Sequence, residues 1–252
     1  MITSPITQAI VRADVEARTQ VETNVAVRAP PPLPDYLEQI YGWAYLHPRG
    51  VRIFERQWLV NLILWGNYAR LRDAVYAEFG APIEGKLLQV ACVYGDFTER
   101  LADRLGRDAR LEVVDVAPVQ LDNLRRKLGA RSQVVLWNAD STDLAFADAT
   151  FEGVVVFFLL HEQPEEVRIR TLREALRVVD PGGKVVFIDY HRPARLNPLR
   201  YLMAPVLKVL EPFALSLWHK EIASWLPLAA RGCTIEKSTY FGGLYQKVVL
   251  TR

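Results

Sequence analysis

Lys86-Leu-Leu-Gln-Val-Ala-Cys-Val-Tyr-Gly-Asp-Phe-Thr-Glu-Arg-Leu-Ala-Asp-Arg-Leu105 decides how the rest of the chain is read. Its apolar, β-forming start predicts a strand over Lys86–Val93, a turn at Gly95, and a helix carrying Phe97, Leu101 and Leu105 on one face. Asp96 followed three residues later by Glu99 predicts a capping box at the helix start. Strand, tight turn and helix N-terminus make the first unit of a nucleotide-binding α/β sheet, where backbone N–H groups and the helix end suit a polar ligand. Such turns carry two or three glycines, whereas here only Gly95 remains and Cys92, Val93 and Tyr94 fill the approach. Either the turn binds nothing, or it binds with altered chemistry above it.

Working outward, the pattern repeats. Arg110–Val114 reads as a strand ending in Asp115, followed by a helix from Pro118 to Leu128. Gln133–Trp137 reads as a third strand and Gly153–Leu160 as a fourth, the latter a continuous apolar run of the kind buried on both faces. A helix runs from Pro164 to Val179, Asp180-Pro-Gly-Gly183 turns, and Lys184–Ile188 is a fifth strand. Alternating strands and helices predict an α/β fold: a doubly wound, Rossmann-like sheet. Thr234–Tyr240 and Tyr245–Thr251 read as a hairpin that adds an antiparallel edge, giving seven strands.

Outside this frame lie three further segments. Residues 1–34 are expected to be a disordered tail ending in a Pro-rich linker. Residues 35–80 form an aromatic helical region, with one long helix expected over Val51–Phe79. Its middle, Trp58-Leu-Val-Asn-Leu-Ile-Leu-Trp65, is apolar nearly all round and demands burial against the protein, a lipid surface or an apolar ligand. Residues 81–252 are the α/β domain, with an insertion over 197–230 whose apolar run reads as a lid, a membrane-dipping element or packed helices. Both runs are too short or too interrupted by charge and proline to span a bilayer. A net charge of +2 gives no reason to expect nucleic acid. Two cysteines in apolar settings fit a reduced compartment. No secretory signal or transit peptide is expected from the first residues.

In open α/β sheets ligands gather at the carboxyl ends of the strands. Asp115, twenty residues past Gly95, stands where a carboxylate accepts ribose hydroxyls. Asp140, with Ser141 beside it, could meet an adenine amino group. His161-Glu162 ends the fourth strand and Asp189-Tyr-His191 the fifth, so two imidazoles and two carboxylates are expected at one lip of the cleft. Imidazole with carboxylate suits Mn, Fe or Zn, which would polarise a carbonyl oxygen. Equally, His161 or His191 can serve as a general base without metal.

Gln89-Val-Ala-Cys-Val-Tyr-Gly-Asp96 resembles the Asp-Val-Ala-Gly-Gly-Thr-Gly-Asp motif of class I S-adenosylmethionine methyltransferases, specifically the quinone C-methyltransferases of ubiquinone and menaquinone biosynthesis. Asp140-Ser-Thr-Asp-Leu-Ala-Phe146 is similar to their Asp-Ala-x-x-Leu-Pro-Phe, and Pro-Gly-Gly183 is shared. The departures are His161-Glu162, where they have Arg-Asn, and His191, where they have Ser. With Trp43-Ala-Tyr-x-x-Pro48 and Cys92-Val-Tyr-Gly-Asp96, these resemble the methyltransferase-like proteins of rhodoquinone biosynthesis. That resemblance implies S-adenosylmethionine as donor of an amino group that replaces a methoxy group of ubiquinone, with manganese required. It implies cofactor contacts from Gln89, Tyr94, Gly95, Asp115, Val116, Asp140 and Ser141, where Gln89 replaces the motif's acid and alters one contact. It implies His161, Tyr94 and Glu162 at the reaction, and His161, Asp189 and His191 on the metal. A polyisoprenoid quinone implies a membrane-surface partner and a cytoplasmic location peripheral to the bacterial inner membrane. The alternatives are a quinone or phenol C- or O-methyltransferase, and a non-catalytic membrane-surface binding protein. Oligomeric state has no signature in the sequence.

Overall fold

Seven strands form one sheet in the order β3-β2-β1-β4-β5-β7-β6 in the structure, a computed structural model that describes residues 30–252. Most of the expected tail, residues 1–29, lies outside the described residues. The strands are β1 (Lys86–Val90), β2 (Arg110–Asp115), β3 (Val134–Asn138), β4 (Phe151–Phe157), β5 (Val179–Tyr190), β6 (Thr234–Tyr240) and β7 (Tyr245–Thr251). β1 pairs in parallel with β2 on one side and β4 on the other, and the antiparallel pairings are those of β7 with β5 and with β6, so β7 alone runs against the other six. The chain order reverses between β1 and β4, so their carboxyl ends diverge and open a crevice there. The doubly wound seven-stranded sheet expected from the alternating pattern is the fold observed.

Helices cover the sheet because its central strands are apolar on both faces. Leu87, Leu88, Val154, Val155, Val185 and Val186 are all 2% exposed or less. The helices are α1 (Leu37–Leu46, of the wide π type), α2 (Pro48–Phe54), α3 (Gln57–Ile63), α4 (Tyr68–Tyr76), α5 (Phe97–Ala102), α6 (Pro118–Leu128), α7 (Glu165–Val178), α8 (Leu199–Leu210) and α9 (Ser216–His219). The insertion carries α8, α9 and two 3₁₀ turns, Ile222–Trp225 and Leu228–Gly232.

Several expected boundaries move. The helix expected over Val51–Phe79 is three pieces, because Trp65 and Gly66 both take positive φ and stop α3. β1 ends at Val90 rather than Val93, since Ala91 has φ +73. β4 ends at Phe157 rather than Leu160, since Phe158 has φ +53, and Leu160–Glu162 coil into a 3₁₀ turn. The expected capping box is absent: the Asp96 side chain caps no backbone N–H of the helix. Its carboxylate is taken by Arg72, 2.8 Å away, and by Arg100. A bidentate guanidinium partner outcompetes a backbone N–H for the same oxygens.

Candidate active site

Two adjoining cavities open over the carboxyl edge of the sheet. The first, of about 70 Å³, is lined by Asp115, Val116, Asp140 and Ser141 from the ends of β2 and β3, with Tyr36, Leu37 and Tyr45 closing it from α1 and the residue before it. The second, of about 150 Å³, is lined by aromatic and aliphatic side chains of α1, α3 and α4, and ends in His161, Glu162, Tyr190 and Glu211. Tyr45, Cys92, Phe158 and Glu162 line both, so the cavities share one wall.

Asp115 is held by the backbone. Its Oδ2 accepts the Cys92 N–H at 2.7 Å and its Oδ1 the Ala117 N–H at 2.8 Å. Burial raises its pKa, with those N–H groups pulling the other way. Each carboxylate oxygen keeps a lone pair for a ligand hydroxyl. Asp140 Oδ1 accepts the Thr142 N–H at 2.8 Å, an Asx turn that leaves its other oxygen unconstrained. Ser141 Oγ lies 2.9 Å from Thr171 Oγ1 and accepts from Gln163 Nε2 at 3.1 Å. Gln163 Oε1, also at this cavity, is buried without a hydrogen-bond partner.

Three residues expected at the cofactor, Gln89, Gly95 and Tyr94, lie outside the first cavity. Gln89 is fully buried inside β1, donating to Ala91 O and accepting from Thr98 Oγ1. Its amide packs the turn from beneath and lines neither cavity. Gly95, at φ +79, has its N–H on Glu55 Oε1 at 3.1 Å and its carbonyl on Lys127 Nζ. A Cβ there would lie 2.8 Å from Gln57 Oε1. The turn's N–H groups thus face the side chains of Glu55, directly after α2, and of Gln57, the first residue of α3, since Asp96 N–H also bonds Gln57 Oε1 at 3.0 Å. Tyr94 lines the second cavity, stacked on Tyr45 with ring centres 5.6 Å apart. Its hydroxyl donates to Ala44 O at 2.9 Å and accepts from Gln120 Nε2 at 2.7 Å.

His161 and Glu162 come together as expected, on the 3₁₀ turn. His161 Nδ1 stands 3.0 Å from Asp189 Oδ1, an ion pair when the ring is protonated. Asp189 is fixed by the backbone N–H groups of Tyr190 (2.7 Å) and His161 (3.2 Å). On the far side of the ring, Nε2 faces Glu162 at 3.8 Å and Glu211 at 4.0 Å. Burial opposes charging the imidazole, but the carboxylates of Asp189, Glu211 and Glu162 outweigh it and lift its pKa from 6.5 to about 9. Burial likewise raises the carboxyls of Glu162 and Glu211 above the usual carboxylate range, against the pull of protonated His161. Such a group is a stronger base than a solvated carboxylate once it is deprotonated.

His191 does not join them. Its Nδ1 lies 2.8 Å from Gly243 O and its Nε2 2.9 Å from Lys237 Nζ, and it lines neither cavity. His191 follows the last residue of β5, where its N–H bonds Leu244 O at 2.7 Å and its ring is held between Gly243 and Lys237. The manganese set of His161, Asp189 and His191 is therefore not assembled. Among the described residues no group of three or more His, Cys, Asp and Glu side chains is arranged to hold a metal ion. The residues present do not fit the metal.

Sequence reasoning missed Glu211 and Tyr41. Both face the second cavity, and Glu211 Oε2 and the Tyr41 hydroxyl are buried without hydrogen-bond partners. The available signal was a lone acid closing the apolar run of α8. Arg168 was missed too: fully buried, it donates to Leu160 O (2.8 Å), Gln163 O (3.0 Å) and Ser216 Oγ (2.7 Å), pinning the 3₁₀ turn to the insertion.

Residues 87–183 match the family model described as a methyltransferase domain. The chain is 28% identical over 173 residues to a demethylmenaquinone methyltransferase of Bacillus licheniformis, covering 68% of this chain and 73% of the relative. It is 29% identical over 175 residues to that of Bacillus subtilis, covering 68% and 74%. Among solved structures, an O-methyltransferase family protein from Burkholderia thailandensis superposes with a TM-score of 0.63 at 16% identity, covering 97% of this chain and 70% of the other. The N-methyltransferase NodS from Bradyrhizobium japonicum gives 0.52 at 16%, covering 74% and 98%. The fold is that of the class I S-adenosylmethionine-dependent methyltransferases, and residues 87–183 are similar to a methyltransferase domain. The first cavity stands where that fold binds its cofactor, at the ends of β1, β2 and β3. The donor set fits, with the half-buried Asp115 carboxylate for hydroxyls and the orphaned Gln163 oxygen for an N–H.

Proposed function

We propose that the protein is an S-adenosylmethionine-dependent methyltransferase acting on the ring of a phenol or hydroquinone that carries an apolar tail. The observation that carries this reading is Glu162, whose side chain lines both the polar first cavity and the apolar second one. When bound, the cofactor supplies an electrophilic methyl group. Asp115 would hold the ribose hydroxyls, Asp140, Ser141 and Gln163 the adenine edge, and Val116 its face.

The chain's own residues supply the rest. The walls of the second cavity exclude water from the ring and seat its tail. Protonated His161 donates from Nε2 to a ring oxygen and holds it, its charge supported by Asp189 behind. Glu162 accepts the proton of the ring hydroxyl, which makes the oxygen and the adjacent carbon nucleophilic. Attack through oxygen gives an ether. Attack through carbon leaves a ring C–H, whose proton passes to the same carboxylate cluster as aromaticity returns. Glu211 is placed to share that proton, its carboxylate lying 4.0 Å from the same His161 Nε2.

A second reading, amino transfer to ubiquinone as in rhodoquinone biosynthesis, is favoured by one feature. The glycine positions of the cofactor turn are filled by Cys92, Val93 and Tyr94, and Tyr94 is packed into the second cavity's wall. Incubation with tailed quinols and a cofactor labelled at both methyl carbon and amino nitrogen separates the two. Methyl carbon in the product supports the first reading, and nitrogen supports the second. No binding of S-adenosylmethionine by calorimetry overturns both and leaves a membrane-surface binding protein. The expected membrane-surface partner, and a cytoplasmic location peripheral to the inner membrane, belong to this proposal.

A further inference from the structure

The chemistry above uses the floor of the second cavity and leaves its rim unexplained. α3 is almost wholly apolar, yet none of residues Gln57–Ile63 is buried. Trp58 and Leu62, one turn apart, are 61% and 65% exposed. α8 buries only Met203 and Leu207 and turns Leu202, Val206 and Val209 to solvent, Val209 at 78%. The two faces meet at the cavity, since Trp43 and Ile63 line it from one side and Glu211, directly after α8, from the other. No described helix is long and apolar enough to cross a membrane, so against a bilayer these faces would lie along its surface.

Within the two segments that carry these faces, every exposed charge is positive. Between 48 and 66 the cations are Arg49, Arg52 and Arg56, all exposed and none ion-paired with another described residue. Between 195 and 211, exposed Arg195 and Lys208 stand likewise. The acid in each segment is turned inward, Glu55 to Lys127 at 2.5 Å and Glu211 to the cavity. Exposed indoles and aliphatics ringed by unpaired cations complement an anionic phospholipid surface, with aromatics at headgroup level and arginines on the phosphates.

We propose that the face formed by α2, α3 and α8 docks on an anionic bilayer, with the mouth of the second cavity against the lipid. The substrate's tail then stays in the membrane while its ring reaches Glu162. The inference rests on the proposed reading for that tailed substrate, whereas the surface itself is read independently of the reaction.

Flotation of the full chain with phosphatidylcholine vesicles and with mixed phosphatidylcholine–phosphatidylglycerol vesicles tests it. The expected result is binding to the mixed vesicles at least about tenfold tighter than to the neutral ones, weakened by salt. Trp58→Glu with Leu62→Glu should cut that binding at least about tenfold, with S-adenosylmethionine affinity unchanged, which shows that the variant is folded. Arg49→Glu with Arg52→Glu should remove the preference for anionic lipid. Absence of flotation by the wild type, or undiminished flotation by the Trp58/Leu62 variant, overturns the proposal. So does a dimer in sedimentation that this variant dissociates, because a second copy then covers the face. Turnover of a tail-free quinol in solution separates the two proposals: it survives if only the docking surface is wrong, and flotation survives if only the reaction is wrong.

Discussion

Asp115 and Gly95 were both expected at the cofactor, and only Asp115 lines its cavity, so the two substitutions should behave oppositely. Asp115→Asn removes a charged acceptor worth about 1.5–3 kcal/mol, and calorimetry should show S-adenosylmethionine affinity falling roughly 10- to 100-fold. Gly95→Ala forces a side chain into positive φ against Gln57 and Tyr68. It should cost about 1–3 kcal/mol in urea unfolding while leaving cofactor affinity within about threefold. Glu162→Gln should lower turnover by about 100-fold or more, with cofactor binding within about tenfold. His161 adds a pH signature. Its pKa is raised in the fold, from 6.5 to about 9, so the stabilisation it brings is complete below pH 6.5 and is lost as pH rises through about 9. The raised carboxyls of Glu162 and Glu211 push in the same direction. The melting temperature should therefore fall between pH 6.5 and 9, and His161→Gln should flatten that fall. Asp115 was legible because a carboxylate ending a strand about twenty residues after the turn has a fixed place in this fold. Glu211 was not, because nothing local in α8 says which residue of a distant turn it will face.

α7 and the 3₁₀ turn at Leu160–Glu162 are joined by Arg168, which donates to two carbonyls of that region, Leu160 O and Gln163 O, and to Ser216 Oγ. Arg168→Leu would strand those buried acceptors and should destabilise the protein by about 3 kcal/mol or more in denaturant unfolding. The sequence shows Arg168 only as one charge on an amphipathic helix, since periodicity cannot tell a buried guanidinium from a solvated one. The broken helix at Trp65-Gly66 has the same origin. An unbroken apolar run favours helix locally, and the turn between α3 and α4 exists because α4 must lay Tyr68, Leu71 and Val75 on the core. Strand ends fared better in position than in shape, as Ala91 and Phe158 leave the extended region just where the cleft opens.

At the scale of the described residues, the protein is a mixed sheet whose central parallel strands are buried under a helical cover, of which α3 buries nothing. Hydrogen exchange should therefore be slowest in β1, β4 and β5 and fast in α3. Adding S-adenosylmethionine should slow exchange in residues 36–45 together with 115–117 and 139–141, because the first cavity is closed by α1 as well as by the strand ends. The order of elements, the parallel frame with its antiparallel edge, and the acids at the ends of β2 and β3 were determined by the sequence alone. These follow from hydrophobic period, turn chemistry and the handedness of crossover connections, all of which act over short stretches of chain. Lys86–Leu105 announced a ligand-binding turn, and only the tertiary structure decided which of its atoms face the ligand. Glu55 and Gln57 take the N–H groups of Gly95 and Asp96, and His191 turns away to Lys237 while Glu211 comes in. Those outcomes depend on packing between segments more than 30 residues apart, where geometry decides which of several chemically suitable partners arrives first.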